Sequence, residues 1–385
     1  MKQQTATACT GFPGLFTFRK WRQPLIAIAG IGLALFVGVH SVPAQITNLG
    51  IAPAPGGQSV LYWPVSTTNY VLQTVTNLTS TNWVTARMAV VVNAAEVTNA
   101  APSGFFRLMP MTVPAGMALI PAGWFSIGDA LDDEGDAMPT TNVYVSAFFM
   151  DVNLVNYGLW TNVYAYATNR HYNIVNAGVS GGTGTNYPVT TLDWFDCVKW
   201  CNARSQQAGL SPCYYADAGF TQVFTNGDDI GTTVYQNLAA NGYRLPTEAE
   251  WEKAARGGAS GLRFPWGNRI HTDQAQYTYN SGFSFDSGPS NSPSGPSPVG
   301  SFDANGYGLQ DMAGNVYQWC WDWWGTPYGQ PTTTNPTGAG PASQVRILRG
   351  GAWDANAYNA SCAARGHYYP AYAIRDFGFR CVRGL

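Results

Sequence analysis

The sequence predicts an α+β protein with little regular secondary structure, preceded by a small all-β module. Its 385 residues include 43 Gly and 24 Pro, which interrupt long helices. Aromatic residues make up 14% of the chain, so large rings are expected to fill the core. Charged residues make up only 11% and the net charge is −2, which excludes a nucleic-acid-binding chain because such a chain needs a basic surface.

Residues 1–44 have the pattern of a bacterial secretory signal peptide. Basic side chains within residues 19–22 precede an apolar stretch over residues 25–39, and small residues at 42 and 44 offer a cleavage site before Gln45. The apolar stretch is short for a spanning helix, which favours a cleaved signal over a retained membrane anchor. The sequence therefore predicts a secreted, periplasmic or cell-surface protein with no membrane span after cleavage.

Cysteine usage agrees with export. The chain after residue 44 keeps an even number of cysteines, which outside the cytosol suggests disulfides, although their connectivity stays open. A Cys/His metal site is the alternative, but no CxxC pair occurs and the histidines are widely scattered. The cysteines are Cys197, Cys201, Cys213, Cys320, Cys362 and Cys381.

Residues 45–112 are predicted to form the small β module. Short runs rich in β-branched and aromatic residues, at 60–63, 70–73 and 105–108, are separated by Pro, Gly, Asn and Thr. The region resembles the small β-sandwich modules that precede other domains in secreted bacterial proteins, which implies a role in spacing or adhesion. A second domain is predicted over residues 113–385.

Two helices are predicted in this second domain. The first spans residues 193–207, where apolar residues at 194, 197, 198 and 201 share one face. The second begins at Thr247, which forms a capping box with Glu250, and it ends at Gly257. The acidic run at 132–136 is predicted to be a solvated loop.

Several motifs then appear in one order along the second domain: YRLPTEAEWE at 243–252, FPWGN at 264–268, DMAGNV at 311–316, RGGAW at 349–353 and GFRC at 378–381. Together they resemble the sulfatase-modifying-factor family, whose best-known member is the formylglycine-generating enzyme. The resemblance covers essentially all of residues 113–385. It implies a C-type-lectin-like α+β fold.

The resemblance also shows which positions would need cysteine for oxidase chemistry. The family enzyme oxidises a sulfatase cysteine with oxygen and copper, and it uses two cysteines after the RGG motif because two thiolates hold Cu(I). Here the first cysteine position is Ala355, no cysteine is available for the second, and Ala352 replaces the family serine. Cys362 matches a structural cysteine whose partner position is Ala255. The sequence therefore predicts no catalytic residues and no copper site.

A disulfide and a calcium site follow from the resemblance alone. Cys201 and Cys381 match positions that are disulfide-bonded in the family, although Cys197, one helical turn earlier, competes for Cys381. Structural calcium would be held by oxygens of four residues in one loop, as hard cations prefer. Glutamine in place of the family glutamate should weaken that site. The predicted ligands are Asp311, Gly314, Val316 and Gln318.

The residues near the C-terminus form the predicted ligand-binding surface. Mixed aromatic and amide side chains suit adaptable recognition of a protein, peptide or glycan at the cell surface. The alternative is that these aromatics only pack. We weigh three functions: a non-catalytic binding module, which is favoured, a formylglycine-generating oxidase, and a structural envelope protein. The predicted surface comprises Trp353, Asp354, Asn356, Tyr358, Asn359, His367, Tyr368, Tyr369 and Tyr372.

Overall fold

The computed structural model describes residues 112–385, except 230, 291, 326–332 and 341–342, and within residues 1–111 it describes only strands. The signal sequence predicted over residues 1–44 lies outside the described residues apart from two short strands. No helix among the described residues has both the length and the apolar character that crossing a membrane requires.

The chain divides into two compact units. The first comprises Met1–Pro64, Tyr70–Ala86 and Val97–Met109, and the second comprises Val65–Asn69, Arg87–Glu96 and Pro110–Leu385. The strands before residue 111 are β1 (Ile26–Ala27), β2 (Ala34–Leu35), β3 (Gly50–Ala54), β4 (Gln58–Tyr62), β5 (Tyr70–Val75), β6 (Val84–Thr85), β7 (Val90–Val91), β8 (Ala94–Val97) and β9 (Phe105–Pro110). The runs predicted as strands therefore overlap β4, β5 and β9. The domain boundary near residue 112 stays a prediction.

The strands of the second unit form small sheets. They are β10 (Met117–Ile120), β11 (Gly123–Ile127), β12 (Thr141–Val145), β13 (Phe148–Asp151), β14 (Val179–Ser180), β15 (Val189–Thr190), β16 (Tyr214–Tyr215), β17 (Tyr235–Gln236), β18 (Tyr317–Trp323), β19 (Arg346–Arg349), β20 (Arg365–Tyr368), β21 (Phe377–Gly378) and β22 (Val382–Gly384). A three-stranded sheet has the order β10-β13-β22, and a four-stranded sheet has the order β20-β19-β18-β21. Strand β20 lies at one edge of the latter.

The described residues contain three helices, α1 (Tyr157–Asn169), α2 (Trp194–Gln207) and α3 (Glu248–Ala255). The two predicted helices are confirmed as α2 and α3, including the capping box in which Thr247 and Glu250 exchange hydrogen bonds. Helix α1 was not predicted. Asn156 caps it and Trp160 lies on its buried face, but its aromatic and β-branched content has weak helix propensity.

Aromatic side chains fill the core, as the composition predicts. The rings of Trp160 and Trp200 stack with centroids 5.6 Å apart, and Phe379 packs edge-on at 5.3 Å from Trp200. These residues join helices α1 and α2 to the C-terminal segment. This part of the core is therefore built from aromatic rings carried by two helices and the C-terminal segment.

Buried ion pairs fix the loops around α3. Arg244 and Glu250 form two hydrogen bonds of 2.6 Å each. Glu252, which is fully buried, accepts hydrogen bonds from Arg256 and Arg349 and from the backbone N–H of Gly128 at 2.8 Å. Charge-assisted hydrogen bonds of Arg244, Glu250 and Arg256 therefore hold these loops in place.

Candidate functional site

The end of β20 and the segment that follows it expose three tyrosines, which we call the tyrosine patch: Tyr368, Tyr369 and Tyr372. Their exposed fractions are 38%, 45% and 52%. The ring centroid of Tyr372 lies 5.7 Å from that of Tyr368 and 5.8 Å from that of Tyr369. Tyr368 also packs edge-on against the buried ring of Phe377 at 5.3 Å. The patch is therefore anchored to the core on one side and open to solvent on the other.

Two carboxylates, those of Asp354 and Asp376, interact with each other electrostatically, and we call them the acidic edge. Tyr317, whose ring also contacts Phe377 at 6.0 Å, donates its backbone N–H to the Asp376 carbonyl at 2.8 Å. One carboxylate oxygen of Asp376 is buried without a hydrogen-bond partner among the described residues. Burial, followed by the charge of Asp354, raises the pKa of Asp376 to about 6.

The structure divides the predicted surface into separate parts. Trp353 does not lie on the exposed surface as expected, because its ring is buried and its centroid lies 4.9 Å from the guanidinium of Arg375. Arg375 in turn pairs with the exposed Asp354 at 3.4 Å. His367 is exposed, but its ring lies 4.0 Å from that of Trp324.

The three remaining predicted residues, Asn356, Tyr358 and Asn359, are half-buried and form a turn of their own. The side-chain oxygen of Asn356 accepts hydrogen bonds of 3.1 Å from the Tyr358 N–H and the Asn359 amide. The Tyr358 ring stacks on Phe283 with centroids 6.0 Å apart. These residues mainly stabilise their own loop.

The acidic run is only partly the predicted solvated loop. Asp132 and Asp133 are exposed, but Glu134 is buried and forms a hydrogen bond with Tyr358. Burial raises the pKa of Glu134 to about 7. The sequence gives no signal for this burial, because it arises from a contact with a distant loop.

The Glu134 pKa predicts a pH effect on stability. Folding raises this pKa from 4.5 to about 7, so the folded state disfavours the charged form of Glu134. The protonated side chain therefore contributes to the free energy of unfolding below pH 4.5, and this contribution is lost as the pH rises through 7. We expect the melting temperature of Glu134→Gln, relative to wild type, to be higher at pH 8 than at pH 5. A difference between the two proteins that is independent of pH would contradict this assignment.

A buried carboxylate cluster on α2 was not predicted. Carboxylate oxygens of Asp193, Asp196 and Asp228 lie within 4.8 Å of one another. The buried amine of Lys199 contacts Asp228 and lies 3.6 Å from Asp196, while Asp193 caps the helix by accepting the Asp196 N–H at 2.7 Å. The amine of Lys199 therefore compensates part of the negative charge of this cluster.

The predicted calcium loop is held by hydrogen bonds within the protein. The Gln318 amide nitrogen donates to the Asp311 carbonyl at 2.9 Å, and its oxygen accepts from Trp251 and from Arg380, each at 2.8 Å. Asp311 is buried, and its carboxylate accepts the Gly300 N–H at 2.7 Å. Calcium would be coordinated by the side-chain oxygen of Gln318, and this oxygen already accepts the hydrogen bonds from Trp251 and Arg380. Calcium binding at the four predicted ligands is decided by the melting temperature in calcium and in chelator.

Calcium dependence gives a direct test of this loop. We expect the melting temperature of the wild-type chain to be the same in calcium and in chelator, because Gln318 and Arg380 already satisfy the Asp311 carbonyl. In Gln318→Glu the donor is replaced by a carboxylate, so calcium should raise the melting temperature. A calcium-dependent rise in wild type would contradict this interpretation.

The cysteines from Cys197 to Cys381 are all buried. The sulfur atoms of Cys201 and Cys381 lie 3.6 Å apart, which is contact without a covalent bond. Cys362 is 1% exposed, and burial raises the pKa of its thiol to about 12. Ala355 occupies the position of the first family cysteine, and its carbonyl accepts the Thr278 N–H at 2.8 Å.

Comparisons with known proteins agree with this architecture. The sulfatase-modifying factor enzyme 1-like domain matches residues 106–385. Chaperone protein LppX of Paenibacillus barcinonensis is 32% identical over 65% of this chain and 87% of the relative. The formylglycine-generating enzyme of Bos taurus is 30% identical over 70% of this chain and 75% of the relative.

Solved structures show the same likeness. Treponema denticola variable protein 1 has a TM-score of 0.56 and 26% identity, covering 71% of this chain and 98% of that protein. CarF has a TM-score of 0.54 and 27% identity, covering 71% of this chain and all of that protein. The predicted α+β, C-type-lectin-like fold with little regular secondary structure is confirmed.

Proposed function

This chain belongs to the sulfatase-modifying factor family, and on that premise we propose that it is an exported, non-catalytic binding module. The observation that carries the proposal is the state of its thiols. The cysteines between Cys197 and Cys381 are buried, and the loop that bears the paired cysteines in the family enzyme contains Ala355 instead. The signal-peptide pattern of residues 1–44 supports export.

Copper-dependent oxidation requires two accessible thiolates. Cu(I) is held by soft, deprotonated sulfur ligands, and a thiolate is the form that reacts. The one cysteine close to the RGG motif, Cys362, has a pKa of about 12 and therefore carries its proton at neutral pH. Its buried position also prevents contact with a peptide substrate. The chemistry of these residues thus favours binding over oxidation.

The tyrosine patch supplies the proposed contact surface. Tyrosine offers a large, rigid and partly polar ring whose ordering costs little entropy, so exposed tyrosines are effective in recognition. Tyr368, Tyr369 and Tyr372 are exposed, although each contacts another aromatic ring. One of the similar proteins is named as a chaperone, which is a role other than oxidation.

Thiol labelling tests this proposal. The purified chain is treated with a thiol reagent while folded and again after denaturation, and Cu(I) affinity is measured by competition with a colorimetric chelator. We expect no rapid labelling of the folded chain and no tight Cu(I) binding. Rapid labelling of two cysteines, together with Cu(I) binding that their alkylation abolishes, would contradict the proposal.

A further inference from the structure

We propose that the solvent face of the β11–β12 hairpin binds a neutral glycan by stacking a glucose-type sugar ring on Trp124. This inference goes beyond the proposed function, because it concerns a different surface and does not depend on whether the domain oxidises cysteine. We call this surface the hairpin face, and it comprises four residues of the two strands and one residue of an adjoining segment. These residues are Trp124, Ser126, Asn142, Tyr144 and Thr334.

Strand register places the four strand residues on one side of the hairpin. Trp124 lies directly opposite Tyr144, and Ser126 lies directly opposite Asn142. Side chains alternate between the two faces of a strand, so these four share a face and the intervening residues lie on the other. The intervening residues that are buried in one core cluster are Ile127, Val143 and Val145. The face that carries Trp124 is therefore the one turned to solvent.

A third segment adjoins this face along β12. The Tyr144 N–H donates to the Thr333 carbonyl at 2.6 Å, and the Asn335 N–H donates to the Tyr144 carbonyl at 2.7 Å. These bonds make Thr334, which is exposed, the bridge partner of Tyr144. The Asn335 side chain fixes the segment, because it accepts the Ser146 N–H at 2.7 Å and donates to the Ser146 hydroxyl at 3.0 Å. The hairpin face is therefore continuous across three hydrogen-bonded segments.

The indole of Trp124 provides the stacking surface. Its side chain is 63% exposed, which is unusual for a residue that is highly buried on average. The Tyr144 ring contacts it at a centroid distance of 5.6 Å and an interplanar angle of 67°, so the indole is held on one side. The face of an aromatic ring is electron-rich and attracts weakly positive hydrogen atoms. A pyranose with equatorial hydroxyls presents C–H groups on its faces, and these fit an exposed indole.

The polar groups of the hairpin face match sugar hydroxyls. Ser126, Asn142 and Thr334 offer two hydroxyls and one amide, each of which can donate and accept hydrogen bonds. Their side chains have no hydrogen-bond partner within the part of the chain that the structure describes. All five side chains of the face are uncharged, and the nearby amine of Lys253 is buried, where it donates to the Gly123 carbonyl at 2.8 Å. The face therefore favours a neutral ligand over a charged one.

The size of the face favours a glycan over a protein or a membrane. A stable protein interface buries about 800 Å² on each partner, whereas one Trp side chain contributes about 150–250 Å². A membrane-binding surface combines several apolar side chains with Lys or Arg, and the five residues of the hairpin face include no cation. One aromatic ring with neutral polar groups around it suits one or two sugar rings.

Binding is measured by affinity electrophoresis of the purified chain in native gels. One gel series contains hydroxyethylcellulose, a neutral β-linked glucan, and a second contains carboxymethylcellulose, which has the same backbone with negative charges. The retardation, relative to a reference protein that does not bind glycans, gives a dissociation constant for each polymer. We expect hydroxyethylcellulose to retard the chain and carboxymethylcellulose to bind more weakly.

Matched variants assign the effect to the hairpin face. Trp124→Ala should weaken binding of hydroxyethylcellulose at least about tenfold, while Trp124→Phe, which keeps an aromatic ring, should retain part of the affinity. Asn142→Ala should weaken binding about two- to fivefold through the loss of one hydrogen bond. Tyr235→Ala is the control, because it removes an aromatic side chain that is 37% exposed on β17, and it should bind like wild type. The melting temperature of each variant shows that it is folded.

Absence of retardation in hydroxyethylcellulose would overturn the inference. Full affinity in Trp124→Ala would place the glycan elsewhere and overturn it too, as would an equal loss of affinity in Tyr235→Ala. Tighter binding of carboxymethylcellulose would show that charge selects the ligand, which contradicts a neutral glycan. None of these results affects the proposed function, which fails only on the separate copper and thiol measurements.

Discussion

Oxidation of Cys201 and Cys381 to a disulfide is expected to raise the free energy of unfolding by about 5 kcal/mol, because the bond would close a loop spanning 180 residues. The two sulfur atoms are already in contact at 3.6 Å, and both side chains are buried. The bond would tie the C-terminal segment to α2. Denaturant unfolding of the oxidised and reduced chain measures the difference directly.

Peptide mapping identifies the bond. We expect Cys201 and Cys381 to be found in one cross-linked peptide. In Cys201→Ser and in Cys381→Ser, the oxidised and reduced proteins should have the same free energy of unfolding. Cys213→Ala is a matched control, since it removes a buried thiol from the same core cluster but should leave the difference unchanged. A cross-link from Cys197 to Cys381, or no cross-link, would contradict the assignment.

Replacement of Glu252 by Gln is expected to lower the free energy of unfolding by about 3–5 kcal/mol, because it removes the carboxylate that pairs with Arg256 and one of the two carboxylates that contact Arg349. Glu252 contacts Arg256 at 2.7 Å and also contacts Arg349, whose side chain is fully buried. The substitution preserves shape, so the loss reports charge pairing and not a cavity. Denaturant unfolding measures it.

Asp132→Asn provides the control for Glu252→Gln. Its ion pair with Arg263 at 2.7 Å is more exposed, so its removal should cost less than about 1 kcal/mol. If the two variants lose similar free energies of unfolding, the buried ion pairs around α3 do not fix the loops.

The sequence predicts the elements whose stabilising contacts lie within a few residues of one another. Helix α3 follows from the hydrogen bonds that Thr247 and Glu250 exchange within one turn, and α2 follows from the apolar spacing on one face. The aromatic core follows from composition. The family motifs then predict the fold, because their order along the chain reflects one shared architecture.

The candidate site depends on contacts that local patterns do not contain. From the sequence, Trp353 and Tyr368 are both aromatic residues near the C-terminus that are predicted to be exposed. In the structure, the Arg375 guanidinium lies over the Trp353 ring, while the Tyr368 ring packs against Phe377. Glu134 is buried and forms a hydrogen bond with Tyr358, which lies 224 positions later in the sequence. Burial set by distant segments is therefore the part that the sequence alone could not predict.

We expect this domain not to oxidise cysteine. The direct measurement is to incubate the folded chain with Cu(I), oxygen and a peptide containing Cys-x-Pro-x-Arg, and to follow the peptide by mass spectrometry. We predict no aldehyde product above a copper-only control, while an active formylglycine-generating enzyme converts the same peptide. Formation of the aldehyde at a rate above that control would contradict the claim and establish an oxidase that works without the family's cysteine pair.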